Sequence, residues 1–313
     1  MDIQNIIKKQ TKNTNAQHLI RLLQTLGAED VDLLDAACRA ARAELDRTAE
    51  EIRVALVPHW IRQVEKGKLD VSPLGSTLVI PRGTKKIGNR AFWGCRGLEA
   101  VSIPPTVRSI GKFAFKDCSG LTSVEIPEGV TEIGERAFEG CILLRSVMIP
   151  KSVIKIGAYA FSGCGGLTSL AIADGVSKID AHTFEGCKRL KSVGIPNSVA
   201  EIGERAFYGC TGLASVDIPP GVCKIDADAF HGCTSLISLT IQKGVTEIGT
   251  RAFSDCTSLT SVAIPSSVTE IGRRAFSGCE SLQTVVVKGK PECDREAFPM
   301  NAKIENVRIK IEY

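Results

Sequence analysis

From about residue 76 onward, apolar and polar positions return in one fixed order every 23 residues. Phe92, Phe115, Phe138, Phe161, Phe184, Phe207, Phe230, Phe253 and Phe276 keep this spacing, and Phe298 follows. A cysteine stands three residues after each of the first nine, from Cys95 to Cys279, and a leucine three further on, from Leu98 to Leu282. A fixed period of this length marks a repeat architecture, in which each repeat is one supersecondary unit.

The unit that starts at Leu121 shows what each position predicts. Val124 and Ile126 alternate with polar neighbours, the period of a strand. Pro127 lacks an amide hydrogen and suits the strand's end. Val130 and Ile133 mark a second short extended or turn segment. Gly134 is replaced elsewhere only by Asp180 and Asp226, which predicts a positive φ or a helix N-cap there. The segment Glu-Arg-Ala-Phe then predicts about one helical turn, stopped in left-handed conformation at Gly140, whose equivalents include Asp117 and Asp255.

One such unit buries too few side chains to offset the entropy of ordering its backbone. Stacking lets the apolar ladder of each repeat pack on the next. Ten units at about 4.8 Å spacing make a parallel sheet roughly 45–50 Å long. The ends are degraded as caps should be. Leu78, Val79, Ile80, Pro81 and Lys86-Ile87-Gly88 form a partial first repeat, and Ile304, Val307 and Ile309 fit the Leu, Val and Ile positions of one last strand.

The pattern Leu-x-x-Val-x-Ile-Pro-x-x-Val-x-x-Ile-Gly-x-x-Ala-Phe-x-x-Cys resembles the BspA-like leucine-rich repeat family over about residues 76–311. The resemblance implies a right-handed, curved solenoid with a parallel sheet. It also implies kinship with bacterial and protozoan surface proteins that bind host matrix proteins or other cells.

Residues 1–72 do not carry the repeat. Leu19, Ile20, Leu22, Leu23 and Leu26 form a helical stripe that stops at Gly27. Val31, Leu34, Ala37, Cys38, Ala41 and Leu45 continue at helical spacing, and Thr48 with Glu51 has capping-box spacing. The expected organisation is a small α-helical N-terminal segment, 1–72, and a leucine-rich-repeat solenoid of about ten repeats, 73–313, with a curved parallel β-sheet and short helical turns. The helices serve either as a cap on the first repeat or as a docking module.

Composition changes this picture little. The net charge of +4 gives no reason to expect nucleic acid or an anionic membrane as the main partner. No apolar run approaches the roughly 18–20 residues of a membrane span. The N-terminus shows no secretory signal, so the expected location is cytoplasmic, with cell surface or secretion as the alternative.

The candidate chemistry is thin. Nine of the 12 cysteines share one repeat position. Stacked equivalents point in parallel directions, whereas disulfides need converging Cβ vectors, and no Cys-x-x-Cys pair offers zinc its close ligands. The expectation is a buried ladder of free thiols, which suits a reducing compartment. No histidine sits where it would activate a nucleophile, and no glycine loop would cradle phosphate. Neither an enzyme nor a cofactor is expected; an enzyme would need a pocket near residues 55–75.

Two surface columns are candidate protein-binding sites. One lies two residues before each ladder phenylalanine: Arg90, Phe113, Arg136, Tyr159, His182, Arg205, Asp228, Arg251 and Arg274. Arginine and tyrosine are enriched at binding hot spots; the plainer alternative is a solvated face whose arginines pair with Glu135 and Glu204. The other is a strip of small residues on the strand face: Ser123, Ser146, Ser169, Ser192, Ser215, Ser238 and Ser261, which present a smooth uncharged surface or merely suit the sheet's curvature. The expected partner is a protein.

Overall fold

A computed structural model describes residues 77–305 apart from 81 and 295, together with the backbone of 308–309. The helices expected over 1–72, the boundary near residue 72 and the junction at 55–75 lie outside the described residues.

Each coil carries a long strand and a short one, as in Ser123–Glu125 and Glu132–Ile133. The long strands run from Thr77–Val79 to Lys303–Glu305 and pair in parallel with their equivalents. Ser192, Ser215 and Ser238 stand opposite one another, as do Val193, Val216 and Leu239. The short strands form a second parallel stack in which isoleucine faces isoleucine, such as Ile110 with Ile133 and Ile202 with Ile225. The alternation read from the sequence is what buries Val124 and Ile126 and exposes Ser123 and Glu125.

Among the described residues there is no helix, so the expected helical turn is corrected. Three amides of the segment close local turns: Ala137 donates to Gly134, Glu139 to Arg136 and Cys141 to Phe138. The amides between them, Arg136, Phe138 and Gly140, donate instead to Ala158, Ala160 and Ser162 of the next coil, at 2.7–2.9 Å. A helix would direct these amides to acceptors four residues back. The stack therefore gains a third ladder of backbone hydrogen bonds.

Gly140 is left-handed as expected, with φ 74°, and Asp117 and Asp255 share that conformation. Gly134 is not left-handed. A Cβ there would lie 2.7 Å from backbone atoms of Gly111 and Lys112, so the glycine serves close approach between coils, not a positive φ or an N-cap.

The core is one continuous column of repeating layers. The phenylalanine rings stack at centroid distances of 5.2 Å for Phe115–Phe138 and 5.0 Å for Phe207–Phe230, nearly parallel. Each such pair contributes about 0.5–1.5 kcal/mol beyond its burial. The final coil departs from expectation. Ile304 pairs with Val285, placing it at the Val position, and Ile309 pairs with Cys293 in the short-strand stack. Only 19 positions separate 285 from 304, so the chain enters the last strand early and its apolar residues divide between two strands.

A ladder of arginines and rings in left-handed backbone

The thiol column lies inside. The nine ladder cysteines are buried, and none is joined in a disulfide among the described residues. Cys118, Cys141 and Cys164 donate from Sγ to the carbonyls of Phe92, Phe115 and Phe138 in the preceding coil, at 3.0–3.2 Å. Burial pushes the Cys164 thiol up to about 12, and Cys141 and Cys233 are also raised chiefly by burial. These thiols are weak donors within the core, not nucleophiles. Cys223, outside the column, is exposed.

On the turn face, the column two residues before each phenylalanine has a property that the sequence does not announce. Arg90, Phe113, Arg136, Tyr159, His182, Arg205, Asp228, Arg251 and Arg274 all adopt φ between 53° and 59°. This left-handed region costs non-glycine residues roughly 1–2 kcal/mol each. The other left-handed column, four residues on, is filled by glycine or aspartate. Here no coil uses glycine.

The side chains of this column touch along the solenoid. The Arg136 guanidinium lies 4.1 Å from the Tyr159 ring centre, and Tyr159 stacks on His182 at 4.2 Å. Arg90 lies over both Phe113 and Trp93, at 5.4 and 5.3 Å. Arg205 reaches Tyr208 at 5.5 Å, and Tyr208 stacks on His231 at 4.9 Å. Trp93, Tyr208 and His231 belong to a neighbouring column three residues on, which the sequence reading passed over. Their spacing from Arg90, Arg205 and Asp228 was the available signal.

The expected acid pairing holds at Arg136, 3.6 Å from Glu135 and 3.2 Å from Glu139. Arg205 pairs with Asp228 at 3.7 Å instead of with Glu204, and its buried Nε makes no hydrogen bond. Arg274 meets Glu296 at 2.7 Å, while Arg251 projects into solvent. His182 Nδ1 lies 2.8 Å from Glu185. The middle of the ladder, Phe113 to Arg205, is half-buried.

The serine strip is exposed throughout on the long-strand face, with Ser123, Ser146 and Ser169 in register and Ser261 opposite Thr284. The two columns occupy different faces of the coil, so the structure does not bring them together. The short-strand face neutralises itself through pairs such as Lys155–Glu132 at 3.1 Å and Lys178–Glu201 at 2.8 Å. Glu201 holds the Lys178 ammonium above the ordinary lysine range. Among the described residues, no three His, Cys, Asp or Glu side chains converge to hold a metal, and no helix is long and apolar enough to cross a membrane.

The profile of a BspA type leucine rich repeat region matches residues 74–191 and 177–305. Similar solved structures include a leucine rich repeat protein of T. pallidum, 31% identical, which covers 66% of this chain and 78% of its own at a TM-score of 0.44. A leucine rich cell surface protein of Faecalibacterium prausnitzii is 28% identical, covering 68% and 79% with a TM-score of 0.40. The pneumococcal vaccine antigen PcpA is 20% identical, covering 75% and 69% with a TM-score of 0.48. No curated protein matches. A repeat profile that spans well over half of the sequence places this chain in the BspA-type leucine-rich repeat family.

Proposed function

We propose that this protein is a non-enzymatic scaffold that binds another protein through the exposed faces of its solenoid. One observation carries the reading. Nine successive coils hold a large or charged side chain in left-handed backbone where glycine would relieve strain. Stacking between neighbours offsets part of that cost, and the result is a half-buried row of guanidinium, phenol and imidazole edges in fixed register. Such pre-ordered arginine and aromatic groups lose little entropy when a partner settles on them. The serine strip is a second, flatter candidate face. The N-terminal segment acts as a cap or a dock.

The test is affinity capture with mass spectrometry, from the source cell's lysate and from purified extracellular matrix proteins. The full chain is compared with its Arg136→Ser/Arg205→Ser/Arg251→Ser form and with residues 73–313 alone. A partner retained by the full chain and lost by the triple variant supports the ladder as its site. Matrix proteins held by residues 73–313 would assign the chain to adhesion at a cell surface. A partner captured only when residues 1–72 are present would place the interaction in that segment instead.

A further inference from the structure

The corner where each coil enters its long strand has an uneven charge. Cys141 is followed by two turn residues, Ile142 and Leu143, and then by Leu144 and Arg145. The equivalents of these three outer positions carry no carboxylate in any coil between residues 118 and 279. Their cations gather in two coils: Arg145 in one, Lys188, Arg189 and Lys191 two coils further on. All four are exposed. Elsewhere on the solenoid, Lys112, Lys116, Lys155, Lys178 and Lys224 each meet a carboxylate within 4.0 Å.

The same corner exposes large apolar side chains. Ile142 and Leu143 are 53% and 52% exposed, and Met148, on the adjoining strand face, is 70% exposed. The coil between them and the lysines turns on Gly165, where a Cβ would meet nothing within 4 Å, and on Gly166, whose backbone lies against that of Ile142 and Leu143. A shallow notch results, with an apolar wall on one side and a cationic wall two coil spacings away, about 10 Å. The strand face beside it is uncharged from Met148 across Ala171 to Gly194.

We infer that this notch docks an extended acidic segment of a protein partner, with a large apolar side chain against Ile142 and Leu143 and carboxylates against Lys188 and Arg189. The inference rests on the protein-binding reading above and adds a partner chemistry to it. An extended chain advances about 3.3 Å per residue, so an apolar and an acidic residue about three positions apart span the roughly 10 Å between the walls. Exposed cations with no carboxylate partner among the described residues, beside an apolar surface, favour such a segment by complementarity and disfavour a basic one.

The probe is a fluorescent 12-residue peptide of Asp, Glu and Ser with two Leu, followed by anisotropy against the full chain. The controls are the same peptide with Leu replaced by Ser, its charge-reversed form with Lys and Arg, and a 12-nucleotide oligouridylate. The acidic leucine peptide is expected to bind. Lys188→Glu/Arg189→Glu and Leu143→Ser should each weaken it at least tenfold, with circular dichroism unchanged. The charge-reversed peptide should not bind the parent chain and should gain affinity for the double variant, an outcome that a misfolded variant could not give. Three results would overturn the inference: no binding of the acidic leucine peptide up to millimolar protein, equal binding of the leucine-free peptide or the oligouridylate, or binding indifferent to both variants. Capture of a protein partner by the double variant as well as by the parent would leave the scaffold reading intact while removing this site; loss of capture only with the ladder variant would do the same.

Discussion

The cysteine in each coil is a core residue with a hydrogen bond, and its chemistry follows from burial. Its equivalents lie in parallel and donate to the phenylalanine carbonyl of the coil before. Native protein treated with a thiol reagent should leave the nine ladder thiols unreacted while Cys223 reacts. Denaturant without reductant should release all nine; thiols that stay silent until reduced would mean disulfides. A second consequence is alkaline instability. The raised thiols stay protonated in the folded chain, whereas those of the unfolded chain ionise near the ordinary value of 9.0. The unfolded state then binds fewer protons, so stability is full below that value and falls as pH rises from 9 toward about 12. Each such thiol steepens the fall by up to about 1.4 kcal/mol per pH unit. Denaturation midpoints measured from pH 7 to 10.5 should be flat and then drop, and Cys164→Ala should show a shallower drop than the parent.

The elements divide into those the sequence made legible and those it did not. The long strand is plain from Val124 and Ile126 because its two-residue period is local. The short strand was legible only as a turn or extended segment, since a pair such as Glu132-Ile133 is too brief to show a period. Glu135-Arg136-Ala137-Phe138 reads as helix because three of its residues favour one. What defeats the helix is non-local: the amides of Arg136 and Phe138 find acceptors 22 residues away. The left-handed ladder was invisible for the same reason. Its candidate residues were nonetheless found, because the 23-residue spacing singled out the column. The notch was missed because Ile142 and Leu143 break their columns in one coil only. The backbone account predicts opposite outcomes for two changes at Arg251, which has φ 54° and an exposed side chain. Arg251→Gly should leave stability unchanged or raise it. Arg251→Ile should lower it by about 1–2 kcal/mol in chemical denaturation, since a β-branched residue suits φ > 0 poorly.

At the scale of the whole molecule, the solenoid is a one-dimensional crystal of coils, each bound only to its neighbours. Removing 23 residues, 168–190, rejoins equivalent positions and should yield a folded, shorter chain with the same circular dichroism per residue; removing 168–179 should not. Phe184→Ala, which breaks the ring stack between Phe161 and Phe207, should cost about 3–5 kcal/mol. Such regularity makes every coil structurally similar, so function must lie where outward columns carry what the stack does not require. The self-paired short-strand face offers least, and the ladder and strand faces offer most. The most direct test places the photo-crosslinker p-benzoylphenylalanine at Tyr159 on the ladder, Ser192 on the strand face and Glu247 on the short-strand face, in the full chain, with the captured partner. Crosslinks from Tyr159 or Ser192, and none from Glu247, are the predicted result. Crosslinking from Glu247 alone, or from none of the three while the partner stays bound, would contradict the claim that these faces are the binding surface.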